Sequence, residues 1–578
     1  MSLADGNQLV CAALEAVGID CVFGVPGTQN VGLFEALRRS RLRTVLATHE
    51  LGAAFMANGY YRASGRPAAL VTIPGPGFTY ALPGLAEARL DSAALLYLVA
   101  QPATRPGRRF QLQAIDQAAI AAPLVKSIRN VDSVGELEAA IVAGYAESMA
   151  GEPGPVMIHI ESSALDSPAG PSTGSVAFRG AQPDAASVHL QGELGEVAAA
   201  FASARRPVLF LGQGALPVAS AFRELVERRP LPVITTPSAR GLLADDHPCL
   251  VGFDVMRDEL DQLNALLDTS DLVLVLGSKL GHNGTAGFGI RFPEDRLIHV
   301  DTSQEVLGAN YRTSLAVSAS SAAVAQVLSR ELDRSNSWQT WPAEELAAWK
   351  RQLRRAEQGV EPSIAGTSGG SAREFFDRLR RILPPDAILV TDSGLHQSVA
   401  RRYFRVQAER GLIIPSDFQS MGFGIPAAIG ARFAAPDRPI AALVGDGGFQ
   451  MSAMELLTAT REEIPLLVVV FNDGRLNLIR LQQIGSYGRQ HAVDLRNPDF
   501  QGFASAVGAD YVLFDRHSDE LVRAALAGRR PTLVEVRVGD SPSIWRMQAS
   551  ARAKQTVRGA LGEGMVGRLK RLVRPRSG

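Results

Sequence analysis

Short, continuous apolar runs closed by glycine-rich or polar turns recur along most of the chain, at residues 20–25, 44–48 and 69–73, then 207–211, 231–235, 271–276 and 296–301, then 388–390, 440–444 and 466–471. Runs of this length with no polar alternation are the pattern of strands buried on both faces, as in a parallel sheet. Between them the apolar residues fall at helical spacing, as in the segment 51–64, where Ala53, Ala54 and Ala57 predict a tightly packed helix. Strand, helix, strand repetition of this kind predicts an α/β fold of doubly wound parallel sheets. Residues 166–192 are rich in Pro, Gly, Ser and Ala and break the pattern, so they read as a linker. The polar segment 336–371 carries Trp338, Trp341 and Trp349 and reads as a linker helix with an apolar side. Three domains follow, at 1–168, 190–335 and 371–545, with a tail at 546–578.

At 578 residues the chain is long enough for about three cores of ordinary size. An apolar fraction of 46% with 20% charged residues is that of a globular protein. The formal net charge of zero gives no general attraction to nucleic acid or an anionic surface. Cys11, Cys21 and Cys249 have no metal or redox spacing, which predicts a reducing, cytoplasmic setting. Asp5 stands where a secretory signal would be basic, and no apolar run reaches the roughly 18 residues of a membrane span.

The stretch from Pro439 to Gln483 concentrates the candidate chemistry. Its first apolar run ends in Gly445-Asp446-Gly447-Gly448, and the second ends in Asn472-Asp473-Gly474. In a parallel sheet both turns open on the crevice at the carboxyl ends of the strands, where ligands of such sheets bind. Asp446 and Asp473 are hard oxygen donors, and the glycine turns expose N–H groups to phosphate oxygens. That set suits Mg2+ held between carboxylates and a diphosphate.

With 24 residues between Gly447 and Asn472, this stretch resembles the metal-diphosphate motif of thiamine diphosphate (ThDP) enzymes, with Asp473 where the family usually has a second asparagine. The resemblance extends to FGVPGTQN, to ATHELGAAFMANGYYRASG and to the segment beginning ALVTIPGPG in the first third, and to Asp392-Ser393-Gly394-Leu395-His396-Gln397 and MGFGIPAA in the last. By these segments, in order, the chain is similar to the acetolactate synthase-like, large-subunit branch. The resemblance implies an α/β chain of three doubly wound parallel-sheet domains: pyrimidine-binding, central and diphosphate-binding. It implies that Glu50 hydrogen-bonds the aminopyrimidine, and that Pro26, Gly27, Glu50, Gly75, Gly394, His396, Gln397, Met421, Gly445, Asp446, Gly447, Gly448 and Asp473 meet the cofactor. Met421, 25 residues before Asp446, matches the bulky residue that supports the bent cofactor. Mg2+ would be held by Asp446, Asp473 and a carbonyl of the next turn, at Gly474 or Arg475.

Other positions depart from the pattern. Pro74 replaces the serine of the family's Ser-Gly-Pro-Gly turn. Phe110 to Asp116 resembles a site-lining segment in which Gln113 is kept as a candidate catalytic or substrate contact, with Leu112 and Ala114 replacing a phenylalanine and a glutamate. Gln482 stands where acetolactate synthases have a tryptophan, so Leu478, Arg480 and Gln482 are candidates for the substrate pocket.

The implied reaction is decarboxylation of a 2-oxo acid through a C2 carbanion and an enamine, ending in an aldehyde or in carboligation to a second carbonyl. The alternatives are an FAD-dependent 2-oxo acid oxidase, with FAD in the central domain beside Gly212-Gln213-Gly214 and Gly277-Ser278, and a non-catalytic ThDP-binding subunit. The active unit implied is a homodimer or homotetramer with sites between subunits, engaging neither nucleic acid nor a membrane. The basic tail, with Arg552, Lys554, Arg558, Arg568 and Lys570 among its cations, reads as solvated or docked.

Overall fold

The computed structural model describes residues 5–102, 105, 107–169, 188–334, 339–355, 362–540 and 549. Each predicted apolar run within them forms a strand, and the strands assemble into three sheets. The first has the order Arg43–Leu46, Cys21–Gly24, Ala68–Thr72, Leu95–Ala100, Pro155–Ile160, Ser127–Val131, all parallel. The second runs Leu315–Ser318, Leu297–Asp301, Leu272–Leu276, Pro207–Leu211, Val233–Thr235, Leu250–Phe253, again parallel. The third runs Thr532–Gly539, Leu467–Asn472, Ile440–Gly445, Ile388–Thr391, Leu412–Ile413, with Asp510–Leu513 beside Thr532–Gly539 and an antiparallel edge strand, Ser363–Ile364.

Every sheet has a point where the strand order reverses, and the two neighbouring crossovers leave on opposite faces there. A crevice opens at the carboxyl ends of those strands. In the first sheet it lies between Cys21–Gly24 and Ala68–Thr72, in the second between Pro207–Leu211 and Leu272–Leu276, and in the third between Ile388–Thr391 and Ile440–Gly445. The turns that the sequence marks with glycine therefore fall at the three crevices.

The helix Glu50–Ser64 of the first unit packs on Gly424–Ala434 of the third. Small residues allow the backbones to touch: a Cβ on Gly59 would lie 2.0 Å from the Ala427 carbonyl oxygen, and one on Gly430 would lie 1.9 Å from that of Met56. One apolar cluster accordingly runs through both units, from Phe23 and Phe55 to Phe423 and Val470. Trp341 is buried in the central unit, where its indole N–H donates to the Pro207 carbonyl at 3.0 Å, and Trp349 packs against the same core. The helix Ala343–Arg355 is thus part of the central core, rather than only a linker between units. Among the described residues no helix is long and apolar enough to cross a membrane. The predicted linker is described only at its ends, and the basic tail lies outside the described residues except for Ala549.

Candidate active site

In the third sheet Gly445 pairs with Phe471, a register that sets the Asp446 and Asp473 turns side by side. Asp446 is buried, and its carboxylate gathers both turns: Oδ1 accepts from the Gly447 N–H at 2.9 Å, and Oδ2 from Gly474 N at 2.6 Å, Asp473 N at 3.2 Å and Asn497 Nδ2 at 2.8 Å. Asp473 accepts from Arg475 N at 3.1 Å and from Asn477 Nδ2 at 2.7 Å. Burial, and secondarily the Asp446 charge, pushes the Asp473 carboxyl up to about 7.

Asp392, fully buried, performs the same gathering for the neighbouring strand. It accepts from the N–H groups of Ser393, Gly422 and Gly424 at 2.7, 3.1 and 3.0 Å, and burial pushes its pKa up to about 6. A Cβ on Gly448 would lie 2.8 Å from this carboxyl group, and one on Gly445 would lie 2.9 Å from the His396 ring. Glycine at these positions lets the strand-end turns close on each other. His396 is buried, and burial lowers its pKa to about 4, so its ring is neutral. Its Nε2 is buried with no hydrogen-bond partner among the described residues.

Ser393, Gly394, His396, Met421, Gly445 to Gly448, Asp473, Arg475 and Leu476 to Ile479 line one cavity of about 120 Å³. Glycine-shaped turns, two carboxylates and an unpartnered imidazole nitrogen fit a metal diphosphate, and Met421 lines the same cavity. Gln397 is buried but donates to the Pro415 carbonyl at 3.1 Å, outside that cavity. Of the proposed third-ligand carbonyls, that of Gly474 accepts from Leu495 N at 2.7 Å, which favours Arg475.

The helix Asn477–Tyr487 enters this cavity through its first turn, where Leu478 and Ile479 are lining residues. Arg480 does not line it. It is buried and bonded to Asp540 at 2.5 and 3.1 Å and to Gln490 at 2.6 Å, so its carboxylate partner turns it away from the position expected of a substrate contact. Gln482 is exposed one turn beyond Leu478 on the same helix face.

The other half of the proposed cofactor set lies on the first unit. Glu50 begins its helix, half-buried, with Oε1 3.1 Å from where a Gly77 Cβ would be. Gly75 and Gln113 meet nearby: Gln29 Nε2 donates to Gln113 Oε1 at 2.5 Å, and the Gln113 side chain packs 2.7 Å from the Cβ direction of Gly75, while that of Gly27 meets Ile73 at 2.6 Å. Pro26 belongs to the same turn, after the strand Cys21–Gly24. Within one chain Glu50 and Gln113 are not among the residues lining the Asp446 cavity.

Glu455, Asn497 and Asn477 were not picked out in the sequence. Buried Glu455 accepts from Thr48 N at 3.1 Å and His49 N at 3.0 Å, clamping the turn that presents Glu50. Nothing local marks that role, since the two N–H groups it holds lie about four hundred positions earlier.

The central crevice holds a larger cavity, about 310 Å³, lined by Gly214, Gly277, Ser278, Lys279, Asp301 and other residues of all three units.

The comparisons with known proteins agree with this geometry. Residues 4–120, 194–328 and 392–536 match the N-terminal TPP-binding, central and C-terminal TPP-binding domains of thiamine pyrophosphate enzymes. The chain is 30% identical to "Acetolactate synthase" of Mycobacterium bovis over 96% of its length and 92% of the relative's. It is 31% identical to "Probable 2-ketoarginine decarboxylase" of Pseudomonas aeruginosa, covering 93% and 94% of the two chains. To "Acetolactate synthase isozyme 1 large subunit" of Escherichia coli it is 28% identical, covering 94% and 95%. The chain belongs to the thiamine diphosphate enzyme family, in its acetolactate synthase-like branch, and is a ThDP-dependent enzyme of the decarboxylase and carboligase kind.

Proposed function

We propose that the protein is a Mg2+-requiring ThDP enzyme that decarboxylates a 2-oxo acid and releases the remaining acyl unit as an aldehyde or joins it to a second carbonyl. The observation that carries this reading is the cavity lined together by Asp446, Asp473 and His396 between glycine turns. When bound, ThDP supplies the electron sink that makes loss of CO2 from a 2-oxo acid feasible. Asp446, Asp473 and the Arg475 carbonyl would hold Mg2+ against the diphosphate. His396, Gly394 and the turn Gly445–Gly448 would receive the diphosphate oxygens, and Met421 would back the ring system. Glu50 would hold a proton against the aminopyrimidine, and its half-buried place at a helix start limits competition from water.

Because Glu50 stands outside the Asp446 cavity of its own chain, the complete site is assigned to a pair of subunits, Glu50 from one facing Asp446 and Asp473 of the other. The exposed apolar residues Met451, Met454 and Leu457, next to the turns in question, support such a contact. In the central crevice, glycine turns at the strand-order reversal and Asp301 at the end of the adjoining strand favour a nucleotide. FAD is one candidate, and flavin absorbance in the purified protein decides for or against it.

The test is reconstitution with ThDP and Mg2+ and assay against a panel of 2-oxo acids, scoring CO2, aldehyde and hydroxyketone. Turnover is expected only with both cofactors and is expected to collapse in Glu50→Gln. No ThDP binding in the presence of Mg2+, or an undiminished Glu50→Gln enzyme, overturns the reading.

A further inference from the structure

Asp473 is connected to a run of side chains leading out of the cavity. Asn477 Nδ2 donates to Asp473 Oδ2 at 2.7 Å, and Asn477 Oδ1 accepts from Arg480 Nη1 at 3.3 Å. Arg480 forks onto both carboxylate oxygens of Asp540, at 2.5 and 3.1 Å, while its Nε donates to Gln490 Oε1 at 2.6 Å. Arg475 Nη1 also reaches Asp540 Oδ1, at 3.2 Å. Asn477 and Arg480 are both buried, so the amide does not turn freely towards water.

The chemistry of these groups leaves one arrangement. A guanidinium has donors only, and an ionised carboxylate has acceptors only. An amide between them satisfies both only with its oxygen towards Arg480 and its NH2 towards Asp473. Arg480 therefore fixes which face Asn477 shows to the carboxylate, and Asp540 with Gln490 fixes Arg480. With one hydrogen bond on each Asp473 oxygen, from Arg475 N and Asn477 Nδ2, the carboxylate plane is set and a lone pair on each oxygen stays free.

We propose that Asn477, Arg480 and Asp540 form a positioning relay that orients Asp473 for Mg2+, in place of the substrate contact that Arg480's position in the sequence suggests. The inference rests on Asp473 being a metal ligand. Outer partners of metal-binding side chains hold them in the geometry the ion requires, and their loss typically lowers metal affinity by 10- to 100-fold. Mg2+ is demanding in this respect because it accepts only near-octahedral geometry.

The experiment is Mg2+ titration calorimetry on the full-length protein with saturating ThDP, with circular dichroism to establish that each variant is folded. Asn477→Ala and Arg480→Met are each expected to weaken Mg2+ binding by about 10- to 100-fold. Since Arg480 acts through Asn477, the double variant is expected to be no weaker than Asn477→Ala alone, a non-additivity that a general structural role would not produce. Arg480→Lys keeps the charge without the fork, is expected to lose less than Arg480→Met, and carries the test should the latter not fold. Folded single variants that bind Mg2+ within about threefold of the parent, or additive losses in the double variant, overturn the relay. A parent protein that does not bind Mg2+ at all overturns the functional reading instead, so the two failures are distinct.

Discussion

Gly59→Ala perturbs the contact on which the two cofactor-binding units are mounted. The added Cβ would sit 2.0 Å from the Ala427 carbonyl oxygen, whereas real Cβ contacts stay beyond 3.0 Å, so the helices Glu50–Ser64 and Gly424–Ala434 must part by at least 1 Å. A gap of that size forfeits a quarter to a half of each dispersion contact across the crossing, at about 0.1–0.2 kcal/mol per atom pair. Phe55, Met56 and Tyr60 are buried in the same apolar cluster as Phe423, Ala427 and Ala428, with Phe55 and Phe423 rings 5.4 Å apart. With several dozen atom pairs affected, the loss is about 3 kcal/mol, at the upper end of ordinary overpacking. For units of this size that lowers the midpoint of thermal unfolding by on the order of 10 °C. The assay is thermal unfolding of the apoprotein by circular dichroism, with Gly135→Ala as control, since a Cβ there meets nothing within 4 Å. A Gly59→Ala midpoint within about 1 °C of the parent would refute the close crossing.

Three further outcomes follow from named contacts. Glu87 is buried, held by Ser420 N at 2.8 Å, and its carboxyl is pushed up by burial and then by Asp91. It therefore keeps in the native state a proton that the unfolded chain releases above the ordinary glutamate range, so its contribution to stability falls as pH rises from there towards the raised native value. Glu87→Gln is expected to remove at least about 1.4 kcal/mol of that decline, the equivalent of one pKa unit, and urea midpoints as steep with pH as the parent's would contradict it. Glu455→Gln replaces an acceptor facing the Thr48 and His49 N–H groups by an amide, and kcat is expected to drop by about tenfold, some 1.4 kcal/mol, with Glu50 itself intact; unchanged kcat would mean that the clamp does not position Glu50. Finally, the carboxylates lining the cavity within one chain are Asp446 and Asp473, both assigned to the metal, while Leu478 and Ile479 are apolar lining residues. Comparison of kcat/KM is expected to favour 2-oxo acids with uncharged side chains by at least about tenfold over cationic ones, because a buried unpaired cation is costly; the reverse order would refute it.

The fold was legible where the physical signal is local. Runs such as Leu467 to Phe471 are apolar throughout because helices cover both faces of their sheet, and Gly445 and Gly448 are glycine because a side chain there would strike His396 and Asp392 respectively. The strands Ser363–Ile364 and Leu412–Ile413 have two residues each, too few to show a period. Glu455 reads as one more acid on a helix, and its place under the Glu50 turn exists only after the chain has folded back across the two units.

The same distinction separates the two ends of the candidate site. At the diphosphate end the contacts come from backbone N–H groups and short turns, so the geometry is written into residue type: glycine where chains touch, aspartate where turn N–H groups are gathered. At the substrate end the contacts come from side chains on Asn477–Tyr487, where phase and partner decide direction. Leu478 and Arg480 are two positions apart, yet one lines the cavity and the other is drawn under the helix by Asp540, sixty positions later in the chain. Helical periodicity separates their faces by about 200°, but only the ion pair reveals that the buried face carries the arginine. A charge next to the Asp473 turn thus acquires its role from the group that neutralises it, and a motif that identifies the cofactor leaves that group unspecified.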